Sequence, residues 1–187
     1  LIFGYIFTIA AFIGAIYGLH NKRRRDPVAA FIYVGGSLGA VFAGDLLSLF
    51  IFWEVMAFSS VFLIWFKDGE RSRSAGFRYL MVHIVGGLAL LAGIIIYYAK
   101  TGSIEFNLLE NNGLGFYLIL IGFLVNAAVP PFSAWLSDGY PEATLTGAVF
   151  MCAFTTKTAV YVLVRGYAGT EILVALGVFM ALYGVVY

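Results

Sequence analysis

The sequence predicts an all-α fold: a polytopic membrane helix bundle of about seven spans, one of them broken by proline. Three observations lead there. Hydrophobic residues fill 62% of the 187 positions and charged residues 11%, against the roughly 25% charged residues of an ordinary soluble domain. Apolar runs cover 1–19, 27–44, 46–66, 79–99, 114–135, 144–164 and 172–187, each near the ~20 residues that cross a hydrocarbon core as a helix. The charges are sorted between the connections rather than scattered. With this much of the chain in spans, residues 1–187 read as a single membrane domain without an extramembrane catalytic unit. The sequence opens at Leu1 and stops inside an apolar run at Val186-Tyr187, so it reads as a fragment of a longer polypeptide.

Taken in order, the first run ends in His20-Asn21-Lys22-Arg23-Arg24-Arg25-Asp26. Basic residues after the apolar stretch mark a span, since a cleaved leader carries them before it. The second run is short and glycine-rich. Lys67 through Arg78 follows the third run with four basic residues, whereas Gly44-Asp45 and 100–113 hold only Lys100. An excess of Lys and Arg marks cytoplasmic connections, so the first span runs from outside to inside and the others alternate. Connection 136–143 then falls on the cytoplasmic side, although it carries Asp138 and Glu142 and no basic residue.

Residues that lipid rejects are the candidates for chemistry. A charge at a helix centre costs about 2.5–3.5 kcal/mol on insertion scales. Glu54 lies about nine residues into the third span from outside, and Lys157 about eight residues below the same face in the sixth, so the two can share a level. His83 stands about five residues into the fourth run from the cytoplasmic side, roughly 7 Å at 1.5 Å per residue. Its ordinary pKa near 6.5 suits it to load protons. Each has a competing structural reading: a buried ion pair for Glu54 and Lys157, an interfacial histidine beside a close helix contact at Gly86-Gly87 for His83. Thr155, Thr156 and Thr158 bond back to their own helix or solvate an ammonium, and Tyr161 one turn on has the same two readings.

Pro130-Pro131 interrupt the fifth span and remove the amide donors for the carbonyls of Asn126 and Ala127. Freed carbonyls at that depth must face protein or water, and Asn126 adds a polar side chain to the same turn. A broken helix with polar lining is a common device of transporters; a kink that serves packing alone is the alternative. Cys152 is the one cysteine. No Cys/His spacing suits a metal, and no Ser/His/Asp set or phosphate loop lies outside the spans. The expectation is therefore a chain without cofactor, metal site, nucleic-acid partner or catalytic centre of its own.

Three segments resemble a known family: Phe52-Trp53-Glu54-Val55-Met56, Pro131-Phe132-Ser133-Ala134-Trp135-Leu136-Ser137-Asp138, and Lys157-Thr158-Ala159-Val160-Tyr161-Val162-Leu163-Val164-Arg165. In order and spacing they are similar to the antiporter-like membrane subunits of respiratory complex I, of Mrp-type sodium/proton antiporters (the D-type component) and of membrane-bound hydrogenases. The resemblance implies about fourteen helices containing two inverted repeats of five, of which this chain supplies the first. It further implies that Glu54 modulates proton affinity and that Lys157 relays protons; His83, Asn126, Pro130, Thr156 and Tyr161 are candidate pathway residues by their own placement in the spans. One position departs: where the family usually has a lysine on the broken helix, this chain has Asn126, which cannot carry a proton.

The implied function is proton or sodium translocation within a hetero-oligomeric complex, an antiporter or a proton-translocating oxidoreductase, in the cytoplasmic (inner) membrane of a prokaryote. Other membrane subunits, the lipid bilayer and protons or Na+ are the implied partners. A non-conducting scaffold that anchors a redox arm is the alternative, favoured by Asn126. A carrier of larger solutes would need a pocket at Asn126 and Pro130.

Overall fold

The computed structural model describes residues 1–20 and 25–186, so Asn21, Lys22, Arg23 and Arg24 of the first basic stretch, with Tyr187, lie outside the described residues. Among these, eight helices follow one another: α1 (Ile2–Gly18), α2 (Arg25–Phe42), α3 (Leu46–Trp65), α4 (Glu70–Thr101), α5 (Leu114–Asn126), α6 (Ala134–Gly139), α7 (Leu145–Gly166) and α8 (Glu171–Val186). Every apolar run coincides with a helix, and the fifth is divided into α5 and α6 on either side of the prolines. By length and composition α3, α4 and α7 are able to cross a membrane, while α1, α5 and α8 are shorter apolar helices.

Local chemistry sets the helix ends. The Asp45 carboxylate accepts from Ser48 N at 2.7 Å and from Ser48 Oγ at 2.7 Å, which satisfies a donor that the first turn of α3 leaves open. These bonds hold the Asp45 carboxyl below its ordinary pKa. Thr144 caps α7 in the same way, accepting from Gly147 N at 3.0 Å. Glycine closes α4: Gly102 takes φ 69°, and its amide donates to Tyr98 O.

The helices pack in chain order, α2 on α3, α3 on α4 and α4 on α5, while α7 lies against α1, α2, α3 and α5. Tyr33, Trp53, Tyr79, Phe123 and Phe154 form the aromatic centre of the core. Close approach of α4 and α5 depends on glycine: a Cβ on Gly93 would stand 2.6 Å from Ile119 N, and one on Gly115 2.7 Å from Tyr97 N. Small residues of this kind let membrane helices meet backbone to backbone. Helix α8 has no buried residue.

At one end of the bundle Leu46 N donates to Ile104 O at 2.8 Å and Phe106 N to Gly44 O at 3.0 Å, tying the α2–α3 turn to the α4–α5 connection. Charges meet at the other end. Arg78 donates to both carboxylate oxygens of Asp138, at 2.5 and 2.7 Å, and Lys67 contacts Glu142 at 3.3 Å and Pro141 O at 2.6 Å. The acidic connection thus lies against the basic one, which accounts for an acidic segment on the basic side.

The Arg78 hydrogen bond holds the Asp138 carboxyl below its ordinary pKa. A depressed folded value stabilises at pH above the unfolded carboxyl's ~3.9, and the stabilisation is lost as pH falls through the folded value. Asp138→Asn is expected to flatten that acid limb of the melting-temperature profile while leaving the neutral-pH value within about 1 kcal/mol, since the pair is solvent-exposed. Gly93→Ala is expected to cost about 1–3 kcal/mol by overpacking, with Gly177→Ala, where nothing lies within 4 Å of the new Cβ, as the neutral control in thermal unfolding.

Candidate functional site: an enclosed polar cluster at the broken helix

Glu54 projects from the middle of α3 and is half-buried. Its carboxylate rests on α4 at Gly87, in the space a Cβ there would fill, and Oε1 has no hydrogen-bond partner among the described residues. The adjoining Gly86 faces Val125 of α5 instead. The glycine pair therefore serves two contacts: one with the neighbouring helix, one with a charge. On its outer side Glu54 borders an apolar groove of about 840 Å³ between α2 and α3.

Helix α5 ends at Asn126, and Ala128 takes φ 57°, left-handed and strained for a residue with a Cβ. The Pro130-Pro131 bond is cis. Sequence reasoning expects the carbonyls of Asn126 and Ala127 to be the freed acceptors. The structure shows a third one engaged: α6 folds back so that Trp135 Nε1 donates to Val125 O at 2.9 Å. Ala128 N reaches the same oxygen at 3.1 Å, because the last turn of α5 tightens. The Asn126 side chain is 1% exposed, and neither its amide oxygen nor its nitrogen has a partner among the described residues.

His83 is 2% exposed, enclosed by protein on all sides. Two features enclose it. Helix α4 begins at Glu70, nine residues before the apolar run, and α6 packs across that end. The imidazole stacks on Tyr79 at 4.0 Å between ring centres and meets Trp135 edge-on at 4.7 Å. Nδ1 lies 2.9 Å from Tyr79 O. A carbonyl only accepts, so Nδ1 carries the hydrogen and the neutral ring keeps its lone pair on Nε2. That nitrogen is buried without a partner among the described residues.

Lys157 does not join this group. Its ammonium is exposed on α7, donating to Cys152 O at 2.7 Å and Thr156 Oγ1 at 3.2 Å, and no ion pair links it to Glu54 among the described residues. Tyr161 donates to Val41 O at 2.6 Å and accepts from Arg165, whose guanidinium also reaches Ala43 O. Thr155 is bonded to the Tyr33 hydroxyl rather than to its own helix, and Thr158 Oγ1 is buried without a partner among the described residues. Pro130 and Thr156 border an apolar groove of about 850 Å³ between α7 and α8 that Asn126 does not line. The pocket a larger solute would need thus lacks its expected polar anchor.

Sequence reasoning missed Tyr79 and Ser60, whose hydroxyls bond at 2.9 Å beside His83, and the role of Trp135. Two signals were present: Tyr79 stands one helical turn before His83, and an indole N–H in an apolar stretch needs an acceptor. No group of three His, Cys, Asp or Glu among the described residues converges as a metal site would require. Trp135→Phe removes the indole donor and leaves Val125 O bonded to Ala128 N, which is expected to cost about 0.5–1.5 kcal/mol, measured as a fall in the detergent-solubilised melting temperature.

Comparison with known proteins bears on this arrangement. The family described as NADH:quinone oxidoreductase/Mrp antiporter, TM, matches residues 43–186. The A1 component of an Na(+)/H(+) antiporter of Staphylococcus saprophyticus is 30% identical over 80% of this chain and 21% of its own length. The A/B component of a probable K(+)/H(+) antiporter of Rhizobium meliloti is 30% identical over 91% of the chain and 19% of its own. The N component of the NADH-quinone oxidoreductase of Deinococcus radiodurans is 26% identical over 90% and 37%. The chain thus spans about a fifth to two fifths of these relatives, whose letters A1, A/B and N leave the letter of its own component unassigned. Two solved structures share the fold. An Mrp complex from Dietzia sp. DQ12-45-1b superposes with a TM-score of 0.79 at 23% identity, covering 87% of this chain and 33% of that one. Respiratory complex I from Thermus thermophilus superposes at 0.81 and 22%, covering 92% and 42%.

Proposed function

Because this chain belongs to the NADH:quinone oxidoreductase/Mrp antiporter transmembrane family, we propose that it forms part of a protein that moves protons or sodium ions across a membrane. That protein works inside a hetero-oligomeric complex, in the cytoplasmic membrane of a prokaryote. The observation that carries this reading is Glu54: a carboxylate at mid-helix in a span, half-buried, with an oxygen enclosed and unpartnered among the described residues. Lipid tolerates such a group only where protein or water covers it, and it marks an ion path by default. His83 and Asn126 add enclosed polar atoms on the two following helices, as a path through the bundle needs.

Lys157 takes a place in the same reading. An ammonium midway along an apolar helix, satisfied by a carbonyl and a hydroxyl of its own helix, requires a protein or aqueous surface opposite, and a second membrane protein or further helices would provide one. Thr156 and Tyr161 lie beside it. The competing reading is a non-conducting scaffold, favoured by Asn126 standing on the broken helix as a group that cannot titrate.

Transport by the intact complex in inverted vesicles separates the two. Glu54→Gln is expected to lower cation-driven proton flux at least about tenfold, equivalent to ~1.4 kcal/mol in the barrier, with the complex still assembled on a native gel. Lys157→Ala is expected to do the same. Unchanged flux in both assembled variants would establish the scaffold reading.

A further inference from the structure

We infer that Glu54 and His83 form a proton-exchange pair bridged by water held at Asn126, so that the proton crosses from α3 to α4 without passing through Lys157. This rests on the proposed translocation reading and assigns its innermost site. Three side chains from three successive helices, half-buried Glu54 of α3 and buried His83 of α4 and Asn126 of α5, each keep at least one enclosed polar atom without a partner among the described residues. Buried polar groups are seldom left so, and the usual partner of those that protein does not satisfy is internal water.

Their placement supports one cluster. The Glu54 carboxylate rests on Gly87. His83 is four residues earlier on the same helix, on the same face, with about 6 Å of rise between them; one or two waters span that. The Trp135 ring that meets His83 edge-on also donates to Val125 O, so it carries the imidazole to the residue beside Asn126. Asn126 offers both a donor and an acceptor and cannot titrate, which suits it to orient water without competing for the proton.

The accepting atom follows from the ring. Because Nδ1 is committed to Tyr79 O, the incoming proton goes to Nε2. A neutral Glu54 carboxyl releases its proton to the bridging water, that water passes one of its own to Nε2, and the products are a carboxylate and an imidazolium. Net charge within the pair is unchanged, so the step separates charge without adding it. Lys157, exposed and bonded to its own helix, stands outside the cluster.

The test uses the intact complex in proteoliposomes, with proton flux followed by a pH-sensitive dye and assembly followed on native gels. His83→Gln, which keeps a polar side chain without a basic nitrogen, is expected to lower flux at least about tenfold, as Glu54→Gln does. Adding Asn126→Lys to His83→Gln puts a titratable group back into the cluster and is expected to restore part of the flux; a merely structural loss at His83 would not respond to it. Wild-type flux in assembled His83→Gln, with flux lost in Glu54→Gln, overturns this inference and leaves the translocation reading standing. Wild-type flux in both of these variants overturns this inference, and wild-type flux in Lys157→Ala as well overturns the translocation reading with it. A high-resolution structure of the unaltered complex decides independently of any variant: ordered water joining Glu54 Oε1 to His83 Nε2 is expected, and apolar atoms filling that gap would overturn the pair.

Discussion

A backbone carbonyl opened in the middle of a membrane helix has to be closed by the protein itself, and the fold around the site is arranged by that constraint. The prolines at 130 and 131 end the regular α5 ladder, and the Trp135 indole closes Val125 O. Fixing the indole there determines what surrounds it. Tyr79 and Tyr140 meet its ring edge-on at 5.4 and 5.9 Å, and His83 at 4.7 Å. One hydrogen bond thus sets the position of α6, the cover over His83 and the end of the polar cluster.

The same economy governs α4. Its glycines sort by direction: Gly93 admits the α5 backbone, Gly86 the Val125 side chain, and Gly87 the Glu54 carboxylate. Without the room left at those positions the three helices that carry Glu54, His83 and Asn126 could not approach as closely as they do. Helix contact by small residues and enclosure of polar atoms are here a single device.

Much of this was legible in the sequence because the bilayer imposes strong rules. Length and apolarity mark each run, and all seven appear as helices, with the break where the prolines predict it. Glu54, Asn126 and His83 stood out because lipid rejects them. What the sequence concealed was direction and cover. Depth of His83 was counted from the edge of an apolar run, yet α4 starts nine residues earlier at Glu70 and α6 shields that end. Glu54 and Lys157 share a level on helical counting, but counting residues gives height and not azimuth, and Lys157 turns to its own helix. The indole donor to Val125 O could not be read at all, since a kinked chain brings Trp135 back across ten residues.

The seat of Glu54 on Gly87 has one consequence beyond packing. A surface carboxylate is usually located by whatever cation it finds, so it moves when its charge changes. This one is located by shape: the absent side chain at position 87 defines a notch in the surface of α4, and the carboxyl group occupies the notch. The tolerance of position 87 for any larger residue thereby becomes a measure of how closely the seat of Glu54 is set.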